Sequence, residues 1–401
     1  MASPPSPDPR GVSGVMGDRE QVRPGRRVWA EIDLGALQEN VRALRAALHA
    51  PARLLAVVKA DAYGHGAVEV ARAAVEAGAW GLGVATTEEG VELRRGGIRA
   101  PVLLLGYTPP EDAETAVAHD FSVTVFQLEV ARALSRAAAH QPGPAKVHIK
   151  VDTGMGRIGV APADAVGLAR EVRALAGINL EGCFTHFATA DDPDLRIARA
   201  QLATFLAVLR DLEAAGVPAG LRHAANSAAL LALPEAHLDL ARAGIALYGV
   251  PPAPHLADRV RLRRVMRVRA RVAHVKRVAA GTPISYGHTF RASEATMIAT
   301  IPVGYADGYL RLLSERGEVL LRGRRLPIAG RITMDQIMVE AGDLPVAVGD
   351  EAELWGENLR VEDVADRAQT ISYEMLARLG RRVPRLFVRN GQVVGTRSLL
   401  D

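Results

Sequence analysis

Between residues 54 and 250, short apolar runs alternate with amphipathic stretches eight times, and no other feature constrains the fold as tightly. The runs are LLAVVKA (54–60), GLGVA (81–85), PVLLLG (101–106), SVTVF (122–126), KVHIKV (146–151), LEGCFTHF (180–187), LRHAAN (221–226) and LARAGIALYG (240–249). Helical patterns such as AVEVARAAVEAG, TEEGVELRRGG and PDLRIARAQLATFLAVLRDLEAAG lie between them. A strand buried on both faces reads as a nearly unbroken apolar run, and a parallel neighbour needs a crossover long enough to hold a helix. The pattern therefore predicts a parallel (β/α)8 barrel. A further helix, DLGALQENVRALRAALH, precedes the first run, with Asp33 as its N-cap.

After about residue 250 the helical periodicity nearly disappears. Alternating strands punctuated by glycine replace it: RVRARVAHVKRV, TMIATIPVGYA, GEVLLRG, RRLPIAGRITMDQIMVE, GDEAELWG and FVRNGQVVG, interrupted by one helix, ISYEMLARLG. This predicts an α/β chain: an N-terminal TIM barrel over 28–255 and a mostly-β barrel or sandwich over 256–401. The early segment RVWAEIDL is expected to return as a strand of the second domain. Residues 1–27 are rich in proline, glycine and charge and lack an apolar core, so they read as a disordered extension, not a signal peptide, with Met16 an alternative start.

Composition removes several function classes. No apolar stretch reaches 18 residues, so no transmembrane helix is expected. The net charge of +4 is scattered over many segments, which describes a solvated surface and not a nucleic-acid footprint. The densest basic stretch, residues 261–277, alternates charge with valine and alanine and reads as a strand with one wet face. A single cysteine, Cys183, excludes an intrachain disulfide and fits a reducing cytoplasm.

Among 49 basic residues only four are lysines, and one of them, Lys59, closes the first apolar run and opens a glycine-rich turn. A desolvated lysine can lose its proton and attack a carbonyl, which arginine cannot do. Working residues of such barrels sit at the carboxyl ends of strands. Those ends supply Lys59 and Tyr63, then Lys150, Asp152 and Arg157, then His186, then Asn226 and Ser227, and finally Arg242 with Gly244 and Ile245. Ser227 and the amides after Gly244 suit a phosphate. A carbonyl-reactive lysine opposite a phosphate cradle suggests pyridoxal 5'-phosphate (PLP).

The segments VVKADAYGHG, KVDTGMGRIG, THFATAD, ANSAA, RAGIALYG, ISYGHTF, PVGYADGY and RITMDQIMVE resemble, in order, the successive signatures of the alanine racemase family. The resemblance implies a PLP-dependent, fold-type III isomerase that interconverts L-alanine and D-alanine for peptidoglycan supply. It further implies a cytoplasmic homodimer whose sites lie between the barrel of one subunit and the β-rich domain of the other. Lys59 would carry the cofactor and act as base on one face of Cα. Tyr286, from the partner subunit, would be the base on the other face, because racemisation needs a proton removed from one side and returned from behind. A phenol ordinarily titrates at about 10, so neighbouring cations would have to acidify it.

Arg242 would face the pyridine nitrogen, where a guanidinium cannot accept a proton and so keeps the electron sink weak. His186 would bridge Arg242 and the tyrosine base. Arg157 would meet the PLP phenolic oxygen and the substrate carboxylate, and Lys150 matches a lysine that is often carbamylated, its charge holding Arg157. Tyr63, Ser227, Gly244, Ile245 and Tyr373 would bind the phosphate, with Asn226 beside them. Met334 would offer its backbone amide to substrate across the subunit boundary. Tyr305, Asp307, Arg311, Arg331 and Asp335 match positions lining the substrate entrance, and no metal is expected. Taken alone, Tyr286 is an ordinary turn tyrosine, Arg242 an ion-pair residue and His186 a core histidine.

Two departures stand out: Thr333 replaces a cysteine found in many relatives, and ARLGRRVPR lacks the usual serine before RVPR. Three alternatives compete. A broader-specificity amino-acid racemase would differ only in pocket size. A fold-type III decarboxylase would favour an acidic partner at the pyridine nitrogen. A non-catalytic, single-barrel PLP carrier would have no use for the β-rich domain.

Overall fold

A computed structural model describes residues 27–400; the expected extension before Arg27, with Met16, lies outside them. Strand β1 (Val28–Asp33) opens the chain, and the Asp33 carboxylate accepts the Ala36 amide at 2.9 Å to start the helix Leu34–Ala46. The barrel strands follow: β2 (Arg53–Val57), β3 (Gly81–Val84), β4 (Val102–Leu104), β5 (Phe121–Val125), β6 (Ala145–Lys150), β7 (Ile178–Phe184), β8 (Leu221–His223) and β9 (Leu240–Ala243). Each matches one of the eight apolar runs. They form one parallel sheet in the order β8-β7-β6-β5-β4-β3-β2-β9. The ring nearly closes between β8 and β9, where the Asp239 amide donates to the Arg222 carbonyl at 3.0 Å and the Arg242 amide to the Ala225 carbonyl at 2.9 Å.

The second domain contains β10 (Met266–Arg271), β11 (His274–Val278), β12 (Pro283–Ile284), β13 (Phe290–Arg291), β14 (Thr296–Ile301) and β15 (Glu318–Leu321). It continues with β16 (Arg324–Pro327), β17 (Ile337–Gly342), β18 (Glu351–Trp355), β19 (Arg385–Arg389) and β20 (Gln392–Arg397). Seven strands form one sheet, β16-β15-β18-β10-β1-β19-β20, so β1 is a central strand of the second domain, antiparallel to β10 and parallel to β19. Its inward side chains Val28, Ala30 and Ile32 are buried in the same apolar core as the barrel. Asn40 ties the units further. Its side-chain amide donates to the Leu247 and Arg263 carbonyls at 3.0 and 2.7 Å and accepts the Arg263 amide at 2.7 Å.

Three details of the sequence reading change. The basic stretch 261–277 yields two strands in different sheets, β10 and β11, because the chain turns at Val272–Ala273. RRLPIAGRITMDQIMVE is likewise two strands separated by a loop that carries Arg331 to Asp335. Two helices, Val361–Arg367 and Ser372–Ala377, interrupt the β pattern where one was expected. VEDVADR buries only Val361, Val364 and Ala365, too few apolar side chains to register as periodicity.

Candidate active site

Lys59 does not sit on a strand. It starts the turn Lys59–Gly64, in which Ala60, Asp61, Ala62 and Tyr63 all adopt φ between 52° and 54°. Consecutive L-residues in the left-handed region cost about 1–2 kcal/mol each, so neighbours must hold them there. Glu89 does so from one side: its carboxylate accepts the Ala60 amide at 2.6 Å and the Ala85 amide at 2.7 Å. Asp61 accepts the Ala67 amide at 2.9 Å and pairs with Arg397. The His65 ring closes the turn through Nδ1, 2.9 Å from the carbonyls of both Ala62 and Tyr63. Two carbonyls can only accept, so Nδ1 carries the proton.

This turn delivers Lys59 and Tyr63 to a cavity of about 690 Å³ at the carboxyl ends of the barrel strands. Lys150, Arg157, His186, Asn226, Ser227, Arg242, Gly244, Ile245 and Tyr373 also line it. Four cations therefore face one space in which Asp191 is the lining carboxylate, an arrangement that calls for an anionic ligand. Burial, then Arg157, lowers the Lys59 pKa, with Glu89 opposing. Burial, then Arg242 and Arg157, brings Lys150 down to about 8. Asp152 accepts the amides of Gly154, Met155 and Gly156 at 2.9 to 3.1 Å, shaping the loop that presents Arg157.

Across from Lys59, the Gly244 amide donates to Ser227 Oγ at 2.8 Å. A Cβ at Gly244 would lie 2.7 Å from Tyr63 Oη, so only glycine lets the phenol, the hydroxyl and the backbone converge. Burial raises the Tyr63 pKa to about 12, which keeps it a neutral donor. With the Gly244 amide given to Ser227, the Tyr63 and Ser227 hydroxyls remain as donors around one small space, which suits a phosphate-bearing group.

Arg242 is fully desolvated, and burial lowers its pKa to about 9. It donates to the carbonyls of Thr185 and Ala224 at 2.8 and 2.9 Å, to His186 Nδ1 at 3.1 Å and to His223 Nδ1 at 2.9 Å. Because a guanidinium only donates, His223 must carry its proton on Nε2, which donates to His148 Nδ1 at 2.9 Å. His148 Nε2 then donates to Glu181 at 3.0 Å, and Ser122 donates to the same carboxylate. A directed chain thus runs from the cavity floor through the barrel interior. Burial and then Arg242 hold both His186 and His223 well below the ordinary histidine range.

Sequence reading missed this chain. The available signal was the two-residue period: His148 and Lys150 alternate on β6, so both point inward. Glu89 and Arg397 were missed as well, since their task depends on contacts far apart in the chain.

Comparison with known proteins settles the family. The alanine racemase N-terminal domain model matches residues 32–252 and the C-terminal domain model residues 265–387. An alanine racemase of Symbiobacterium thermophilum is 51% identical over 375 residues, covering 92% of this chain and 98% of that one. The chain belongs to the alanine racemase family. Among solved structures, the Clostridium difficile alanine racemase superposes with a TM-score of 0.91 at 40% identity, covering 94% of this chain and 99% of that one. The Bacillus anthracis alanine racemase, solved with bound L-Ala-P, gives 0.89 at 39% identity, with 94% and 98% covered.

Of the second domain, Tyr373 lines the cavity of its own chain, whereas Tyr286 and Met334 lie apart from it. Tyr286 is 71% exposed and Met334 52% exposed, and neither lines it. Ser285 bonds the Arg331 carbonyl at 2.6 Å, and the Arg331 guanidinium lies over Gly287, beside Tyr286. The backbone amides of Tyr305 and Ala306 donate to the carbonyls of Thr333 and Met334, both at 3.1 Å. Thr333 Oγ1 donates to the Gln336 carbonyl at 2.8 Å and accepts its amide at 3.1 Å, so the hydroxyl closes the loop around Met334. Tyr305 and Arg311 share a separate depression, and Asp335 pairs with Arg382 at 2.7 Å.

Asp307 corrects the sequence reading. Expected at the entrance, it is instead wholly buried, accepting the Gly304 amide at 3.0 Å and the Arg27 guanidinium at 3.0 Å. Its carboxylate anchors the Tyr305 turn from beneath and leaves no oxygen for a passing substrate.

Proposed function

We propose that this chain is a PLP-dependent alanine racemase, a cytoplasmic enzyme interconverting L-alanine and D-alanine for peptidoglycan precursors. The observation that carries the reading is the cationic cavity, with desolvated Lys59 facing the Gly244, Ser227 and Tyr63 cradle and Arg242 on its floor. These residues fit the cofactor. The lysine would hold its aldehyde carbon. Ser227, Tyr63, Tyr373 and the backbone from Gly244 to Ile245, flanked by Asn226, would hold its phosphate. Arg242 would meet the ring nitrogen and Arg157 the phenolic oxygen. Bound PLP supplies an electron sink that acidifies the Cα–H bond of an amino acid.

The chain's own groups do the rest. Arg157 offers a bidentate grip on the substrate carboxylate. Lys59, its pKa lowered by burial, exchanges a proton at one face of Cα. Tyr286 of the partner subunit works at the opposite face, and the partner's Met334 amide steadies the carboxylate. His186, held neutral by burial and by Arg242, accepts from Arg242 and orients it. Arg242 in place of a carboxylate argues against decarboxylation, because a guanidinium cannot accept from a protonated ring nitrogen and so leaves the sink weak. Exposure of Tyr286 and Met334 supports a homodimer with shared sites.

Shared sites make a sharp test. Mixing inactive Lys59→Ala with inactive Tyr286→Phe under subunit exchange leaves one intact site in each heterodimer. About a quarter of wild-type activity should then return, since random pairing makes half the dimers mixed. No recovery, despite demonstrated exchange, would sink the shared-site reading. Assays on L-serine, L-lysine and L-arginine then measure how far specificity extends beyond alanine.

Lys150 gives a pH prediction. Its folded pKa of about 8 lies below the usual lysine value, so between pH 8 and 10.5 the unfolded chain binds a proton that the native state does not. Stability therefore rises with pH across that window, and below it the native state carries a buried cation. Cofactor-free Lys150→Met in bicarbonate-free buffer should melt higher than wild type at pH 7, with the gap narrowing above pH 8. The same neutral amine is what carbamylation needs, and a carbamate there would face Arg157 and Arg242.

A further inference from the structure

The turn that carries Lys59 is gripped by the hairpin β19–β20 of the second domain. Arg397 on β20 forms a bidentate pair with Asp61, one arm at 2.8 Å, at the centre of the four left-handed residues. Arg385 on β19 donates from Nε to the Gly64 carbonyl at 3.0 Å. The Phe387 ring covers Gly66, where a Cβ would lie 2.7 Å from it. Of Ala-Asp-Ala-Tyr only Asp61 visits positive φ at all readily, and only as a single residue, so a run of four needs outside support. Asp61 also caps the following helix through Ala67, so its carboxylate fixes both ends of the turn only while the guanidinium holds it in place. β20 is an edge strand that pairs with β19 alone, so Arg397 can be altered without opening the core.

We infer that Arg397 is a positioning residue for Lys59: from the edge of the second domain it clamps Asp61 and thereby sets the pose of the lysine in the barrel. This rests on Lys59 being the covalent anchor of PLP, and the arrangement couples the seating of the second domain to the reactivity of the barrel. A chain whose hairpin shifts away from the barrel would present a misplaced amine, even with the phosphate cradle intact.

Hydrogen exchange on cofactor-free protein tests the clamp directly. In Arg397→Ala, amides of residues 58–66 should exchange at least tenfold faster than in wild type. Peptides from β4 to β6 and from β19 should change less than twofold. Arg397→Lys, which keeps the charge but loses the fork, should fall between. Arg389→Ala, which breaks only the Glu76 pair on the same hairpin, should leave residues 58–66 unchanged. A second arm adds PLP, reduces with borohydride and follows the mass gained on Lys59, where Arg397→Ala should trap the label about tenfold more slowly. Unchanged exchange at 58–66, or a uniform rise across the barrel and hairpin, would overturn the inference. If wild type traps no PLP at all, the cofactor reading fails, while the exchange arm still decides the clamp.

Discussion

Replacing Lys59 with alanine should lower kcat/KM for alanine in both directions by about 10⁴-fold or more, the combined loss of the proposed covalent anchor and general base. The loss should reside in chemistry and not in folding. Among the described residues, the Lys59 amine makes no hydrogen bond or ion pair, and its burial and Arg157 both disfavour its charge. The variant should therefore melt at or slightly above the wild-type temperature. D-alanine formation and thermal unfolding, measured on one preparation, separate the two. An inactive variant that is also grossly destabilised would mean that the lysine supports the left-handed turn itself.

Arg242→Met should cost about 3–5 kcal/mol of stability as well as activity. Removing the guanidinium strands four acceptors: the carbonyls of Thr185 and Ala224 and the Nδ1 atoms of His186 and His223. It also removes the cation that helps to depress both histidines, so each should titrate closer to the ordinary range. A group whose folded pKa is depressed and which is buried neutral costs stability as pH falls below its unfolded value of about 6.5, where the unfolded chain takes up the proton first. Wild type should thus lose stability between pH 7 and 5, and the variant should show a shallower decline over that range. Chemical denaturation at several pH values, with histidine ¹⁵N shifts reporting tautomers, checks both parts. Finding His223 protonated on Nδ1 in wild type would contradict the directed chain to Glu181.

Much of this architecture was legible because burial on both faces writes itself into sequence. Each barrel strand is an apolar run, and the residues just beyond the runs are those that meet in the cavity. Other features arise only from distant partners. The left-handed turn is held by Glu89 and Arg397 as well as by the adjacent His65, and of its own residues only Asp61 visits positive φ at all readily. Asp307 was expected at the substrate entrance, yet Arg27, 280 residues away, draws it inward. His148 and His223 drew no reading from the sequence, because only the contact with Arg242 gives their chain a direction. Tyr286 and Met334 are a different case: the roles proposed for them require a second copy of the chain.

Two bases on opposite faces of Cα are the central claim, and deuterium exchange in D₂O tests it most directly. Each enantiomer of alanine is incubated with wild type, Lys59→Ala and Tyr286→Phe, and Cα–H loss is followed alongside chiral composition. Wild type should exchange and interconvert both enantiomers. Each variant should lose racemisation, with its residual exchange skewed toward opposite enantiomers. Undiminished racemisation by Tyr286→Phe, or the same enantiomer favoured by both variants, would contradict the account.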